Sequence, residues 1–183
     1  MKKHILLLLG AVLLSSSAFA QKMETGFFVG AGSGANVGIT GARYENRVDS
    51  HLGVGLNVNV YAGYWFHRIF GARIGYQGVN TSSTYTDFGS TRFAYIHADA
   101  ICRPLPYFMP YLHVGALDMD KWVLAGGAGV ALPMELTDRV SLVPDVRAIF
   151  LSPEGFSESR SGLSMVISAS LGVHVALGKL KKK

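Results

Sequence analysis

From Leu52 to Tyr64 the chain alternates without a break. Leu52, Val54, Leu56, Val58, Val60, Ala62 and Tyr64 fall on one parity, and Gly53, Gly55, Asn57, Asn59, Tyr61 and Gly63 on the other. Period-two alternation places successive side chains on opposite faces of a strand. A strand in a soluble protein is usually ~5–6 residues long. This one keeps its pattern for about twice that, enough for the ~9–11 residues with which a tilted strand crosses a bilayer.

The same pattern closes the chain. Leu163, Met165, Ile167, Ala169, Leu171, Val173, Val175 and Leu177 share one face, Ser164, Ser168, Ser170, Gly172 and His174 the other, and only Val166 breaks it. Further strands are predicted near 26–35, 70–79, 92–103, 110–117, 123–133 and 139–150, eight in all. After residue 20 the longest apolar stretch, Val123 to Met134, is interrupted by Gly126, Gly127 and Gly129, so a membrane-spanning helix is disfavoured. The predicted links alternate in length. Short ones fall at His67-Arg68-Ile69, Arg103 to Met109 and Glu135 to Asp138. Longer ones fall at 36–51, 80–91 and 151–162, with a briefer one near 117–122. Short turns at one end and long polar loops at the other are the two sides of a bacterial transmembrane barrel. Aromatic residues gather near the short turns (Phe27, Tyr64, Trp65, Phe66, Phe70, Tyr107, Phe108, Tyr111) and near the longer links (Tyr76, Phe93, Trp122, Phe150), as two interfacial girdles would require. The expected fold is all-β: an eight-stranded antiparallel up-and-down transmembrane β-barrel with a polar, filled interior.

The first twenty residues predict export. Lys2 and Lys3 precede an apolar run from Ile5 to Leu14, and Ala18-Phe19-Ala20 makes a small-x-small cleavage site before Gln21. The expected organisation is a signal peptide at 1–20, a barrel at 21–178 and a basic tail at 179–183. Without Lys2 and Lys3, 15 Lys and Arg face 12 Asp and Glu, so the formal charge drops from +5 to +3, and Lys179 with Lys181 to Lys183 more than accounts for that excess. A basic tail on a near-neutral body does not point to nucleic acid. The single Cys102 excludes an internal disulfide framework.

If the apolar parity faces lipid, the other parity faces the lumen. Asn57, Asn59, Tyr61, Arg73, Gln77, His97, Asp99, Arg103, His113, Asp145, Arg147 and His174 would then point inward. Eight strands leave an interior just wide enough to be filled by side chains. Arg73, Arg103 and Arg147 against Asp99 and Asp145, with His97, His113 and His174 beside them, predict a balanced polar network whose role is structural. Gly30, Gly32, Gly34, Gly127 and Gly129 leave room for the long side chains opposite.

The segments Tyr61-Ala62-Gly63-Tyr64-Trp65-Phe66 and Phe70-Gly71-Ala72-Arg73-Ile74-Gly75-Tyr76 resemble the second hairpin of the small outer-membrane β-barrel domain family, within the wider group of OmpA-type eight-stranded barrels. Pro110-Tyr111 with Val114-Gly115-Ala116 is similar to that family's fifth strand, and Val173-His174-Val175 to its closing strand. The resemblance spans most of 23–178. It implies residence in the cell outer membrane, outer-membrane lipid as surroundings, insertion by the barrel-assembly machinery and a monomeric state. One departure is the end of the chain. Such barrels finish on an aromatic residue read by the insertion machinery, whereas here Gly178 leads into the lysine tail.

Catalysis is not expected. Some barrels of this size modify lipids with a Ser and a base on the outer surface, but His97-Ala98-Asp99 points inward with no Ser beside it, and His174 shares its face with Ser168 and Ser170 only as lumen filler. The histidines are dispersed and the lone cysteine sits on the lipid face, so no metal site is expected. Gly30 to Gly34 (GAGSG) lacks the helix and lysine of a phosphate loop, so no cofactor is expected. The long links, Thr81 to Thr91 and Arg43 to Ser50, are the expected place for a surface ligand. A structural or surface-interaction barrel is the first expectation. A narrow porin-like channel, an outer-membrane lipid-modifying enzyme and a soluble lipocalin-like barrel are the alternatives.

Overall fold

A computed structural model describes residues 25–44, 47–83, 91–118, 122–151 and 163–177. The leader and the lysine tail lie outside them. The strands are β1 (Gly26–Tyr44), β2 (Arg47–Trp65), β3 (Phe70–Ser83), β4 (Thr91–Cys102), β5 (Met109–Asp118), β6 (Trp122–Ala131), β7 (Met134–Glu135), β8 (Val140–Leu151) and β9 (Leu163–Ala176). β7 is a two-residue ladder against Leu142 and Ser141 of β8. The other eight pair antiparallel with their chain neighbours, and β1 pairs with β9 to close the ring. Closure leaves no sheet edge within the barrel, which a structure in hydrocarbon requires because no water is there to bond a free backbone group.

The apolar parity faces outward. Leu56, Ile74, Leu112 and Leu124 are 62–72 % exposed, whereas Arg73, His97, Asp99 and Arg147 are 2–4 % exposed. A soluble barrel would sort these groups the other way. The expected transmembrane barrel is therefore the fold observed.

Three differences from the sequence reading concern boundaries and layers. First, 36–51 is not a loop: β1 runs to Tyr44, β2 starts at Arg47, and Tyr44 pairs with Arg47. Polar and glycine-rich residues here continue the ladder because backbone pairing needs no apolar side chain. Likewise β3 continues to Ser83, and the link to β4 begins later than expected. Second, the charged groups are confined to mid-height, and the interior above and below them is largely apolar. Val79, Phe93, Tyr95, Leu117, Ala125, Ile149 and Val166 pack into an apolar layer toward the long-link end. Phe28, Trp65, Ile101, Met109, Tyr111, Ala131 and Val143 form another toward the short turns. Val166, the break in the alternation of β9, is a fully buried member of the first layer. Third, Trp65, Phe93 and Tyr111 belong to these layers and not to the girdles. Phe27, Tyr64, Phe66, Phe70 and Tyr107 at one end and Tyr76, Trp122 and Phe150 at the other do face outward.

The short turns are locally determined. The His67 amide donates to the Phe70 carbonyl at 3.0 Å. The Thr137 hydroxyl accepts from the Arg139 and Val140 amides at 3.2 and 3.0 Å, so a side chain supplies acceptors that the ladder does not.

Candidate functional site

The lumen is built row by row from the cross-strand register. One row reads Gly30, Tyr61, Gly75, His97, Gly115 across β1 to β5, so large and absent side chains alternate. The next reads Gly63, Arg73, Asp99, His113, Gly127 across β2 to β6. A third reads Tyr111, Gly129, Arg147, Ser168 across β5, β6, β8 and β9. Directly opposed inward residues lie about 4.5–5.5 Å apart at Cβ, too close for two rings or guanidinium groups to lie over the same spot. Glycine resolves the conflict. A Cβ on Gly30 would enter the Tyr61 ring, one on Gly129 would enter the Tyr111 ring, and one on Gly75 would stand 2.7 Å from the His97 imidazole.

The charges meet at mid-height. Arg73 Nε donates to Asp99 Oδ2. Arg73 also approaches Asp145 at 3.6 Å, and Arg147 approaches Asp99 at 3.7 Å. The Tyr111 hydroxyl donates to Asp145 at 2.6 Å and accepts from Arg147 Nε at 3.0 Å. Its ring lies 4.3 Å from the Arg73 guanidinium carbon and 5.2 Å from that of Arg147, cation–π distances that add attraction in a site shielded from water. Gln77 accepts from Arg147 at 3.4 Å and donates to the Ser168 hydroxyl at 3.0 Å. Two cationic and two anionic side chains balance, which a buried cluster requires.

Hydrogen-bond partners fix both buried imidazoles. Arg147 can only donate, so at 2.7 Å it requires the lone pair of His97 Nε2; the His97 proton then sits on Nδ1 and is donated to Asp99 at 2.5 Å. His113 Nε2 lies 3.0 Å from the Ala148 carbonyl, which can only accept, so Nε2 carries the proton and Nδ1 accepts from the Tyr95 hydroxyl at 2.7 Å. Each ring uses both nitrogens. A base that activates a hydroxyl or thiol needs a free nitrogen facing it, and His97 has none because Arg147 occupies Nε2.

Arg73, His97, Asp99, His113, Asp145 and Arg147 are thus brought together, while two sequence-selected residues stand apart. Arg103 is in the turn after β4. Its Nε donates to the Pro106 carbonyl at 2.9 Å and its guanidinium pairs with Glu135 at 3.5 Å. The expectation that it belongs to the Asp99 and Asp145 network is corrected: Arg103 follows the last residue of β4, at the short-turn end of the barrel, and takes Glu135 as its counter-charge. His174 lies nearer the short turns, stacked on Phe28 with ring centroids 4.5 Å apart. Sequence reasoning overlooked Tyr95 and the inward position of Tyr111. Each shares the parity of the histidine two residues on, and that parity was the available signal. Among the described residues no three His, Cys, Asp or Glu side chains stand together in a way that could hold a metal ion.

A closed ring of eight long strands, greasy outside and ionic within, defines a class: the small transmembrane β-barrels of the outer-membrane type. Solved structures of that type match the chain. One is Neisserial surface protein A, 15 % identical with a TM-score of 0.56, covering 82 % of this chain and 97 % of that one. Another is Ail, the attachment invasion locus protein of Yersinia pestis, 14 % identical with a TM-score of 0.52, covering 83 % and 99 %. No protein-family model matches the chain, and no curated protein sequence matches it. The likeness is one of fold.

Proposed function

We propose that this protein is a monomeric integral barrel of the cell outer membrane, exported by residues 1–20, with a structural or surface-interaction role and neither catalysis nor conductance. The observation that carries the reading is the filled cross-section. Arg73, Asp99, Asp145, Arg147 and His97 occupy mid-height, and an apolar layer lies on each side of them. An ion entering this lumen would have to displace a compensated buried network, at a cost of several kcal/mol. The network thus acts as a plug. The fully engaged His97 supports the absence of acid–base chemistry.

A surface role is supported by the β1–β2 hairpin. Its strands are 19 residues each, against the ~9–11 that a crossing needs. Thr40 is the last residue of β1 paired with β9, and Gly53 the first of β2 paired with β3. Among the described residues, 41–44 and 47–52 therefore pair only with each other, as a two-stranded ribbon standing beyond the barrel wall. Neisserial surface protein A and the attachment invasion locus protein carry names that fit work at a cell surface.

Membrane fractionation and heat-modifiable gel migration test the location: the protein should sediment with outer membranes and migrate as a compact species until boiled. In planar bilayers the expected current is leak alone, and discrete conductance steps would overturn the plug. Cells displaying the protein should adhere to host-cell or matrix surfaces, and removal of 42–49 together with 81–90 should abolish that adhesion. Unchanged adhesion would refute the surface role. Release of product from labelled lipid A or phospholipid would refute the absence of catalysis.

A further inference from the structure

The outer wall carries a groove of about 580 Å³ toward the long-link end. Its floor is Gly78 and Ala94, direct partners across β3 and β4 with almost no side chain. Leu56 and Val58 wall it on β2, Tyr76 closes it toward mid-height, and Asn80, Arg92 and Asp118 stand at its rim. The level of that rim follows from the register. Cross-strand partners followed once round the ring from Trp65 return to β2 at Gly55, ten residues nearer the long-link end. Rows therefore climb by a little over one residue per strand, which sets Asp118 above its partner Ala94 and close to the level of Arg92. Below Arg92 the outward positions of β4 are uncharged down to Cys102. That stretch rises about 25 Å on a strand tilted by ~40°, the height of the apolar band of such a barrel. The rim thus lies at the membrane boundary on the side of the long links, which is the cell-surface side.

The leaflet at that level of an outer membrane is built of an acylated, phosphorylated disaccharide and not of glycerophospholipid. Resting on the membrane location proposed above, we infer that this groove seats one such lipid A molecule. One acyl chain lies on Gly78 and Ala94 against Leu56, Val58 and Tyr76. A phosphate meets the Arg92 guanidinium, a fork that matches phosphate oxygens. The sugar lies over Asn80 and Asp118: its hydroxyl and amide N–H groups donate to the Asp118 carboxylate, and the Asn80 amide can both donate and accept. Asn80 is the direct partner of Arg92, and Asp118 is the partner of Ala94, two residues further on, so amide, cation and carboxylate stand on three neighbouring strands within reach of one headgroup. A rim of this mixed chemistry fits a phosphorylated sugar. A phosphodiester lipid without the sugar would engage Arg92 and leave the Asp118 carboxylate facing an anion.

The test is native mass spectrometry of the detergent-folded protein with lipid A, dephosphorylated lipid A and phosphatidylglycerol added in competition. Gel migration before boiling confirms that each variant is folded, and failure of the wild type to migrate as a compact species would count against the barrel reading, separately from the groove. The wild type is expected to retain one lipid A in preference to the other two lipids. Arg92→Gln should weaken lipid A retention about threefold, the scale of one partly screened charge pair, and remove the discrimination against the dephosphorylated form. Asp118→Ala should weaken retention of both forms alike, because it removes an acceptor for the sugar and no contact with phosphate. Gly78→Leu should remove the retained lipid while leaving migration unchanged, because a Cβ at Gly78 meets nothing nearer than the Tyr76 ring at 3.6 Å. Equal retention by all four proteins, no preference among the lipids in the wild type, or tighter lipid A retention by Asp118→Ala would overturn the site and leave only ordinary boundary lipid.

Discussion

Asp99 is the residue on which the lumen turns, because Arg73, Arg147 and His97 all direct a polar group at it. Asp99→Asn should therefore destabilise the barrel by about 3–5 kcal/mol, since it strands two buried cations. Replacing the pair together, Asp99→Leu with Arg73→Met, should recover part of that loss, because Arg73 no longer needs compensation while Arg147 still lacks its partner. Denaturant unfolding of the barrel folded in detergent checks both, and additive losses in the double variant would show that the two residues do not act as a pair. Asn36 offers the opposite case. Its side chain is 1 % exposed, and neither amide atom has a partner among the described residues. Asn36→Leu should raise stability by about 1 kcal/mol, as removing an unsatisfied buried amide does, and a fall in the unfolding midpoint would contradict that. Parity alone made Arg73, His97, Asp99, His113, Asp145 and Arg147 legible as one inward set. It failed at Arg103 because parity gives a face and not a height: Arg103 lies in the turn after β4, where the Pro106 carbonyl and Glu135 take up its guanidinium.

At the level of the strands, the glycines explain why a narrow ring can hold so many large polar groups. Gly30, Gly75 and Gly129 each face a ring on an adjacent strand, whereas at outward-facing Gly78 an added Cβ would make only ordinary van der Waals contact with Tyr76. Gly30→Ala and Gly129→Ala should each cost about 1–3 kcal/mol by pushing Tyr61 or Tyr111 out of place. Gly78→Ala should be close to neutral in the same unfolding experiment. Equal effects at all three would mean that the glycines serve strand flexibility and not ring packing. This pairing of small with large could be read from the sequence once the register of the hairpins was guessed, since short turns fix register within one or two residues. The length of β1 and β2 could not. Residues 36–51 lose the apolar alternation that betrays a half-buried strand, yet they still pair from Asn36 with Gly55 to Tyr44 with Arg47. Side-chain periodicity reports which face is buried, whereas the backbone pairing of 41–44 with 47–52 leaves no periodic trace.

For the molecule as a whole, the decisive property is the inversion of inside and outside, and it was legible because the solvent on each face differs. Lipid favours apolar residues at every second position through the middle of a strand, and a crowded lumen selects glycine, charge and aromatic rings at the others. What the sequence concealed was the layering of the lumen, because Val166, Phe93 and Trp65 are as apolar as lipid-facing residues and only their parity differs. The inversion makes a prediction that no soluble barrel shares. Val114 is outward-facing and 55 % exposed near the middle of β5. Arginine there would lie in hydrocarbon, and Val114→Arg should cost about 2–4 kcal/mol when the barrel is folded into lipid vesicles. Leu136, 62 % exposed in a short turn, lies outside the strands, so Leu136→Arg should cost only about 0–1 kcal/mol. In water the two sites would be equivalent, since both are open to solvent. Equal small losses at both positions in vesicles would place the apolar wall in water and withdraw the membrane assignment. A large loss at Val114 alone follows if hydrocarbon is what the wall faces.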